Sequence, residues 1–333
     1  MRISHSDKKI VVITGGDPSG VGPEIILKAL SQPKLTKNIT PLVIGDYSIF
    51  RKAAKPLGLD ISAISHNRDT GKTLRSDAIN FIDLENVKRD RFKFGQQRAA
   101  YGRASIEYLL CALALLKKLK NSSLVTAPVS KAAINQTGFK FSGHTEFLAS
   151  LTQSAKVTMM LIGGRLKISL VTTHIPLTDV PRSLSKKRII DTAMNTHYAL
   201  RKFFQVKKPR IGVACLNPHG GEDGYMGKEE KSVIVPAIKY LRKKIAGVSE
   251  PGAADTLFYK AYNGKIDAVI CMYHDQGMIP LKMTAFEEGV NLSVGLPFIR
   301  TSPDHGTAFD IAGRGIADPS SMSAAIRLAV KLS

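Results

Sequence analysis

The chain has no tryptophan, only three cysteines, and 27 acidic residues against 48 basic ones. Without tryptophan, and without alternation of aromatic and basic residues, it lacks the stacking platforms of a nucleic-acid binder. The net charge of +21 rests on scattered residues, densest at Lys186, Lys187 and Arg188 and at Arg242, Lys243 and Lys244. That pattern favours a solvated basic surface that steers anionic ligands over a nucleic-acid partner. Cys111, Cys215 and Cys271 are far apart, form no C-x-x-C pair and lie in apolar runs. This argues against a disulfide framework or a zinc–thiolate site and for reduced thiols in a cytoplasmic protein. The longest apolar run, Tyr108–Leu116, is nine residues, too short to span a bilayer. The opening MRISHSDKK has no apolar signal-peptide core, so no membrane partner is expected. Repeats and low-complexity linkers are also missing.

What is present is an alternation of short apolar runs and amphipathic stretches. IVVIT (10–14), PLVIGD (41–46), INFIDL (79–84) and SLVTAPVS (123–130) read as buried parallel strands. Later runs that read as strands are VTMMLIGG, LKISLVTTHIPL, IGVACL, AVICMYHD and GVNLSVGLPF. Helices are expected over 99–120, from about Thr145, over 185–204, over 228–244 and over 320–332. Residues 62–78 read as a polar surface excursion. Strands alternating with helices predict an α/β fold with mostly parallel pairing, and 333 residues suit two domains. The first strand feeds GGDPSGVGPEI, a glycine-rich turn into a helix with Pro23 in its first turn. It is neither a Walker A loop nor G-x-G-x-x-G, and TGKT at 70–73 is a decoy, because His66 stands where that loop needs glycine.

Chemistry concentrates at strand ends. LVTTHIP, ACLNPHGG and ICMYHDQG each stop an apolar run at a histidine: His174, His219 and His274. The carboxyl ends of parallel strands border the ligand crevice of such folds. Three imidazoles there can hold a divalent metal with positions open for substrate. For one histidine alone, a hydrogen-bonded strand-end residue is the default; three in the same topological place favour a shared site. GHTE (143–146) begins a helix and reads either as an anion site or as a plain cap. Lys282, Asn291 and Arg300 recur at nine-residue intervals, either as a phosphate or carboxylate clamp or as separate surface charges.

Taken together, ITGGDPSGVGPEI, GHTEFLA, HIPL, NPHGGE, YHDQGMIPLKM and NLSVGLPFIRTSPDHGTAFDIAGRG resemble the 4-hydroxythreonine-4-phosphate dehydrogenases of pyridoxal-phosphate biosynthesis, from about Ile10 to Ser320. The resemblance implies an isocitrate/isopropylmalate-dehydrogenase-like fold of two α/β/α domains with a cleft between them. Residues 1–130 plus 276–333 would form a cofactor-side domain, and 131–275 a substrate, metal and dimerisation domain. It further implies a homodimer whose site is shared between subunits. One divalent metal (zinc, magnesium or cobalt) would lie on His174, His219 and His274. A small phosphorylated substrate would lie on His144, Thr145, Lys282, Asn291 and Arg300. HGTAFDIAGRGIADP is also similar to the cofactor loop of isopropylmalate dehydrogenases, which assigns NAD or NADP to Gly306, Thr307, Ala308 and Asp310. Asp275 and Lys282 are the candidates to relay the hydroxyl proton. The implied reaction is oxidation of 4-phosphooxy-L-threonine to 2-amino-3-oxo-4-phosphooxybutanoate, which decarboxylates to 3-amino-2-oxopropyl phosphate. The alternatives are a dehydrogenase of a 4-phosphorylated threonate or erythronate and, more remotely, an acyl-phosphate transferase of the same fold. One departure is visible: where the family has Gly-Pro-x-Pro-Ala-Asp-Thr, residues 250–256 read EPGAADT, with Asp255 kept.

Overall fold

The structure, a computed structural model, describes residues 8–61, 65–67, 74–75 and 78–333, with 65–67 as backbone only. His5, the TGKT segment and much of the expected polar excursion at 62–78 lie outside the described residues. Strands are numbered in chain order: β1 (Lys9–Thr14), β2 (Ile39–Gly45), β3 (Ser65–Asn67), β4 (Asn80–Asp83), β5 (Ser122–Thr126), β6 (Thr158–Gly163), β7 (Leu166–Leu170), β8 (Ile211–Ala214), β9 (Val248–Gly252), β10 (Ala268–Cys271), β11 (Val290–Val294) and β12 (Ile299–Pro303). The α/β class expected from the alternation is the one observed.

The chain divides into two compact units, Met1–Leu148 with Phe298–Ser333, and Ala149–Pro297. In the first, the strand order β3-β4-β2-β1-β5-β12 is parallel throughout. β1 and β2 are almost wholly buried, as continuous apolar runs covered on both faces must be. The helix Ala99–Leu116 is long and apolar enough to cross a membrane by composition, yet 61% of it is buried in the fold, the pattern of a core helix. It ends at Leu116, four residues before the expected end.

In the second unit the order is β11-β6-β7-β10-β8-β9. β7, β10, β8 and β9 are parallel, while β6 runs antiparallel to both β7 and β11. The β6–β7 hairpin turns on Gly164 and Arg165, with Gly164 at φ 52°, a conformation that favours glycine. Leu161, Ile168, Val269, Cys271 and Leu281 form this unit's core.

The expected domain boundaries, after residues 130 and 275, fall inside these two units. Residues 131–135 pack on the helix Ala99–Leu116 through Gly102, where a Cβ would meet Ala133 backbone at 2.3 Å. Residues 276–297 contribute a helix on β7 and the strand β11 beside β6, so packing keeps them with the second unit.

Candidate active site

In the first unit, the glycine-rich turn after β1 is a seat for the segment expected to hold nicotinamide cofactor. Val21 N–H donates to Thr307 O at 2.9 Å, and a Cβ on Gly20 would stand 2.9 Å from that same oxygen. Gly95 N–H donates to Ser19 O, and a Cβ on Gly95 would approach Phe309 O to 2.7 Å. Beneath this contact lies Asp17, fully buried, whose Oδ1 accepts from Ser19 N–H and Ser19 Oγ, both at 3.0 Å. Burial pushes its carboxyl up to about 6, against the lowering effect of the two Ser19 hydrogen bonds. Glu24, also buried, accepts from Gly315 N–H and Ala317 N–H and pairs with Lys28 at 3.2 Å, fixing the far end of the segment. Gly306 and Asp310 are exposed, Ala308 is held at φ 41°, and a Cβ on Gly306 would meet nothing within 4 Å. A short exposed loop with accessible backbone, anchored from below, fits a dinucleotide lying along it.

Thr145 is buried and His144 partly buried at the start of the helix His144–Leu151, with Glu146 in its first turn. The helix therefore begins one residue earlier than expected. His144 stacks edge-on against Phe141 at 5.7 Å. Burial, then the charges of Arg300 and Lys131, hold its imidazole well below the ordinary range, so it is neutral at pH 7. Arg300 lies on β12, is 2% exposed, and donates to Thr126 Oγ1 at 2.5 Å. Burial lowers its guanidinium to about 9, with Glu146 acting the other way, so it still carries its charge at neutral pH.

The three strand-end histidines belong to the second unit, after the adjacent parallel strands β7, β10 and β8. The rings of His174 and His274 lie 5.4 Å apart at 43°. Two imidazoles on one metal, each about 2.1 Å from it, hold their ring centres about 5 Å apart, so this pair fits such an ion. His274 Nδ1 pairs with Asp275 Oδ1 at 2.7 Å, which leaves Nε2 for a ligand and sets the ring's orientation, as outer carboxylates do for metal-binding histidines. His219 is exposed on a turn after β8, and among the described residues no three His, Cys, Asp or Glu side chains gather as a metal-holding group. The chain thus assembles two of the three expected ligands and brings the strand end of the third beside them.

His274 opens a helix, His274–Ala285, which is not among the expected helices, and Lys282 lies on it. Gly277 and Pro280 disguise this helix in the sequence. Gly277 is needed because a Cβ there would meet Ile168 Cδ1 at 2.6 Å and Cys271 Sγ at 2.9 Å, so the helix rests directly on the sheet. Lys282 Nζ sits 4.9 Å from the centre of the Phe286 ring. Asn291 is on β11, and its Oδ1 is buried with no hydrogen-bond partner among the described residues, an acceptor in need of a donor. The departing segment 250–256 ends β9 and starts the helix Ala254–Tyr262, with Asp255 in its first turn. Cys215 and Cys271 are buried, Cys111 is half-buried, and all three are free thiols, as expected.

Sequence reasoning missed Asp17, Glu24, Gln276 and Glu230, buried polar residues that hold these segments. Only Asp17 left a trace, as an acid inside a glycine-rich turn.

The chain is similar to known proteins over nearly its whole length. The 4-hydroxythreonine-4-phosphate dehydrogenase of Desulforapulum autotrophicum is 44% identical over 327 residues, covering 97% of this chain and 95% of its own. The D-threonate 4-phosphate dehydrogenase of Cupriavidus necator is 42% identical over 324 residues, covering 97% of each. The crystal structure of 4-hydroxythreonine-4-phosphate dehydrogenase from Klebsiella pneumoniae superposes with a TM-score of 0.87 at 36% identity, covering 99% of this chain and 100% of its own. The family model described as pyridoxal phosphate biosynthetic protein PdxA matches residues 37–329, and the chain belongs to that family.

Proposed function

We propose that the chain is a metal-dependent NAD(P) dehydrogenase that oxidises 4-phosphooxy-L-threonine. The carbon bearing the secondary hydroxyl loses a hydride to the nicotinamide, and the hydroxyl loses its proton. The resulting 2-amino-3-oxo-4-phosphooxybutanoate, a β-keto acid, loses CO2 to give 3-amino-2-oxopropyl phosphate. The observation that carries the reading is the His174–His274 pair with Asp275 on His274 Nδ1, in a chain of this family.

His174, His219 and His274 would hold a zinc, magnesium or cobalt ion, which when bound supplies Lewis-acid polarisation of the substrate hydroxyl. The chain's own residues do the rest. Arg300, buried and charged, attracts an anionic substrate group, and neutral His144 adds a hydrogen bond without a second charge. Thr145, Lys282 and Asn291 complete the substrate contacts, the last through the buried Oδ1 that needs a donor. Asp275, which pairs with His274 Nδ1, and Lys282 are the candidates to relay the hydroxyl proton. Gly306, Thr307, Ala308 and Asp310 carry the cofactor, with the Asp310 carboxylate accepting from ribose hydroxyls.

The helix His274–Ala285 and the residue after it expose Ile279, Met283 and Phe286 (59%, 82% and 73%) at helical spacing beside Lys282. An apolar stripe of that kind beside a site residue supports a homodimer with the site shared between subunits, and the three free thiols support the cytoplasm.

The test is reduced-nicotinamide absorbance from purified protein with a divalent metal, NAD or NADP, and 4-phosphooxy-L-threonine; no absorbance with either cofactor overturns the reading. The 42% identity to a D-threonate 4-phosphate dehydrogenase supports a second reading, a 4-phosphorylated threonate or erythronate as substrate. A higher kcat/KM on the hydroxy acid than on the amino acid would decide for it.

A further inference from the structure

After β8 the chain runs through Cys215, Leu216, Asn217 and Pro218 to His219. His219, Gly220, Gly221, Glu222 and Asp223 then adopt φ of 51°, 69°, 77°, 39° and 56°, five successive residues in the left-handed region. Three of the five carry side chains, for which this conformation is unfavourable. A turn like this persists only where its surroundings over-determine it.

The group that does so is Glu230, which is 5% exposed. Its Oε1 accepts from Leu216 N–H and Asn217 N–H, both at 2.8 Å, and its Oε2 accepts from Asn217 Nδ2 at 2.9 Å. The turn folds back over the same carboxylate, since a Cβ on Gly221 would stand 2.8 Å from Glu230 Oε2. One carboxylate thus holds the two residues that lead into the turn and lies against the third residue within it.

The same stretch is tied to the other strand ends. Gln276, buried, donates from Nε2 to Cys215 O at 2.6 Å and accepts from Met272 N–H at 2.7 Å. Thr172 Oγ1 donates to Met272 O at 2.7 Å, which brings in the strand end that leads to His174. A continuous run of buried and part-buried hydrogen bonds therefore spans Thr172, Met272, Gln276, Cys215, Leu216 and Glu230, linking the chain just before each histidine.

We propose that Glu230 is a positioning residue for the metal site: its carboxylate sets the left-handed turn that presents His219 in register with His274. This rests on the reading of His219 as a ligand, and the experiment separates the two. Zinc and cobalt affinities are measured by calorimetry on the full chain without substrate or nicotinamide, for wild type, H219A, E230Q and E229Q, with the visible spectrum of the cobalt forms.

Gln at 230 keeps the shape but turns an NH2 toward donors that need an acceptor. E230Q is expected to bind metal about 10- to 100-fold more weakly, the usual effect of losing an outer-shell partner, with altered cobalt bands. E229Q removes the same charge but leaves the bonds from Leu216 N–H and Asn217 N–H to Glu230 in place, and is expected to stay within about threefold of wild type, which excludes a bulk charge effect. If H219A binds metal as wild type does, the ligand reading fails and the inference with it. If H219A loses metal while E230Q keeps wild-type affinity and spectrum, the inference alone is overturned. Should E230Q fail to fold, E230D decides, because it keeps the charge but draws the carboxylate back from Leu216 N–H and Asn217 N–H: weakened metal binding supports the inference, and unchanged binding overturns it.

Discussion

Asp17 shows what one residue does in this fold. Its Oδ1 is satisfied by Ser19, while its Oδ2 is buried with no partner among the described residues. Burial raises the carboxyl from 3.8 in the open chain to about 6, so between those values the folded state holds a proton that the unfolded state has released. Stability from this group is therefore greatest below about 3.8 and falls as pH rises toward 6. Asp17→Asn keeps the acceptor for Ser19 and removes the titration. On going from about pH 8 to about pH 4, the stability difference between wild type and D17N should move toward wild type by up to about 3 kcal/mol. Urea denaturation at both pH values measures it, and a difference independent of pH would refute the account. The strand-end histidines were legible because an apolar run that stops at a polar residue is a local pattern. Gln276 and Glu230 were not, because nothing near them in sequence shows that Cys215 and Asn217 will be their partners.

Gly102 makes the corresponding case for elements. Helix propensity alone predicts that Gly102→Ala stabilises the helix Ala99–Leu116 by about 1 kcal/mol. A Cβ there would instead meet Ala133 C and O at 2.3 and 2.4 Å, backbone atoms that a side-chain rotation cannot move. G102A should destabilise the protein by about 1–3 kcal/mol, read from the shift in urea midpoint. A stabilised variant would mean that the two helices separate freely. Close backbone approach also explains the misread helix His274–Ala285. Gly277 and Pro280 weaken a helix taken alone, but Gly277 lets it lie on Ile168 and Cys271, with Met278 and Leu281 buried. Local propensity gave no helix here, and packing overrode it.

For the whole molecule, the exposed stripe of Ile279, Met283 and Phe286 gives the proposed homodimer a direct test. Charges placed in a buried apolar interface lose their solvation, so Met283→Glu with Phe286→Glu should convert dimer to monomer in sedimentation velocity and lower turnover with it. An unchanged sedimentation coefficient would remove this face from the interface. By itself the sequence determined the α/β class, the glycine-rich turn, the three histidines and the likeness to PdxA proteins, because periodicity and motifs are written in consecutive residues. Only the tertiary structure decided that residues 131–148 pack with the first unit and 276–297 with the second, and that Arg300 is buried. It alone paired His174 with His274 and set Glu230 under the His219 turn. Those facts depend on which backbones can approach and which buried polar groups find partners, and both are settled between residues far apart in the chain.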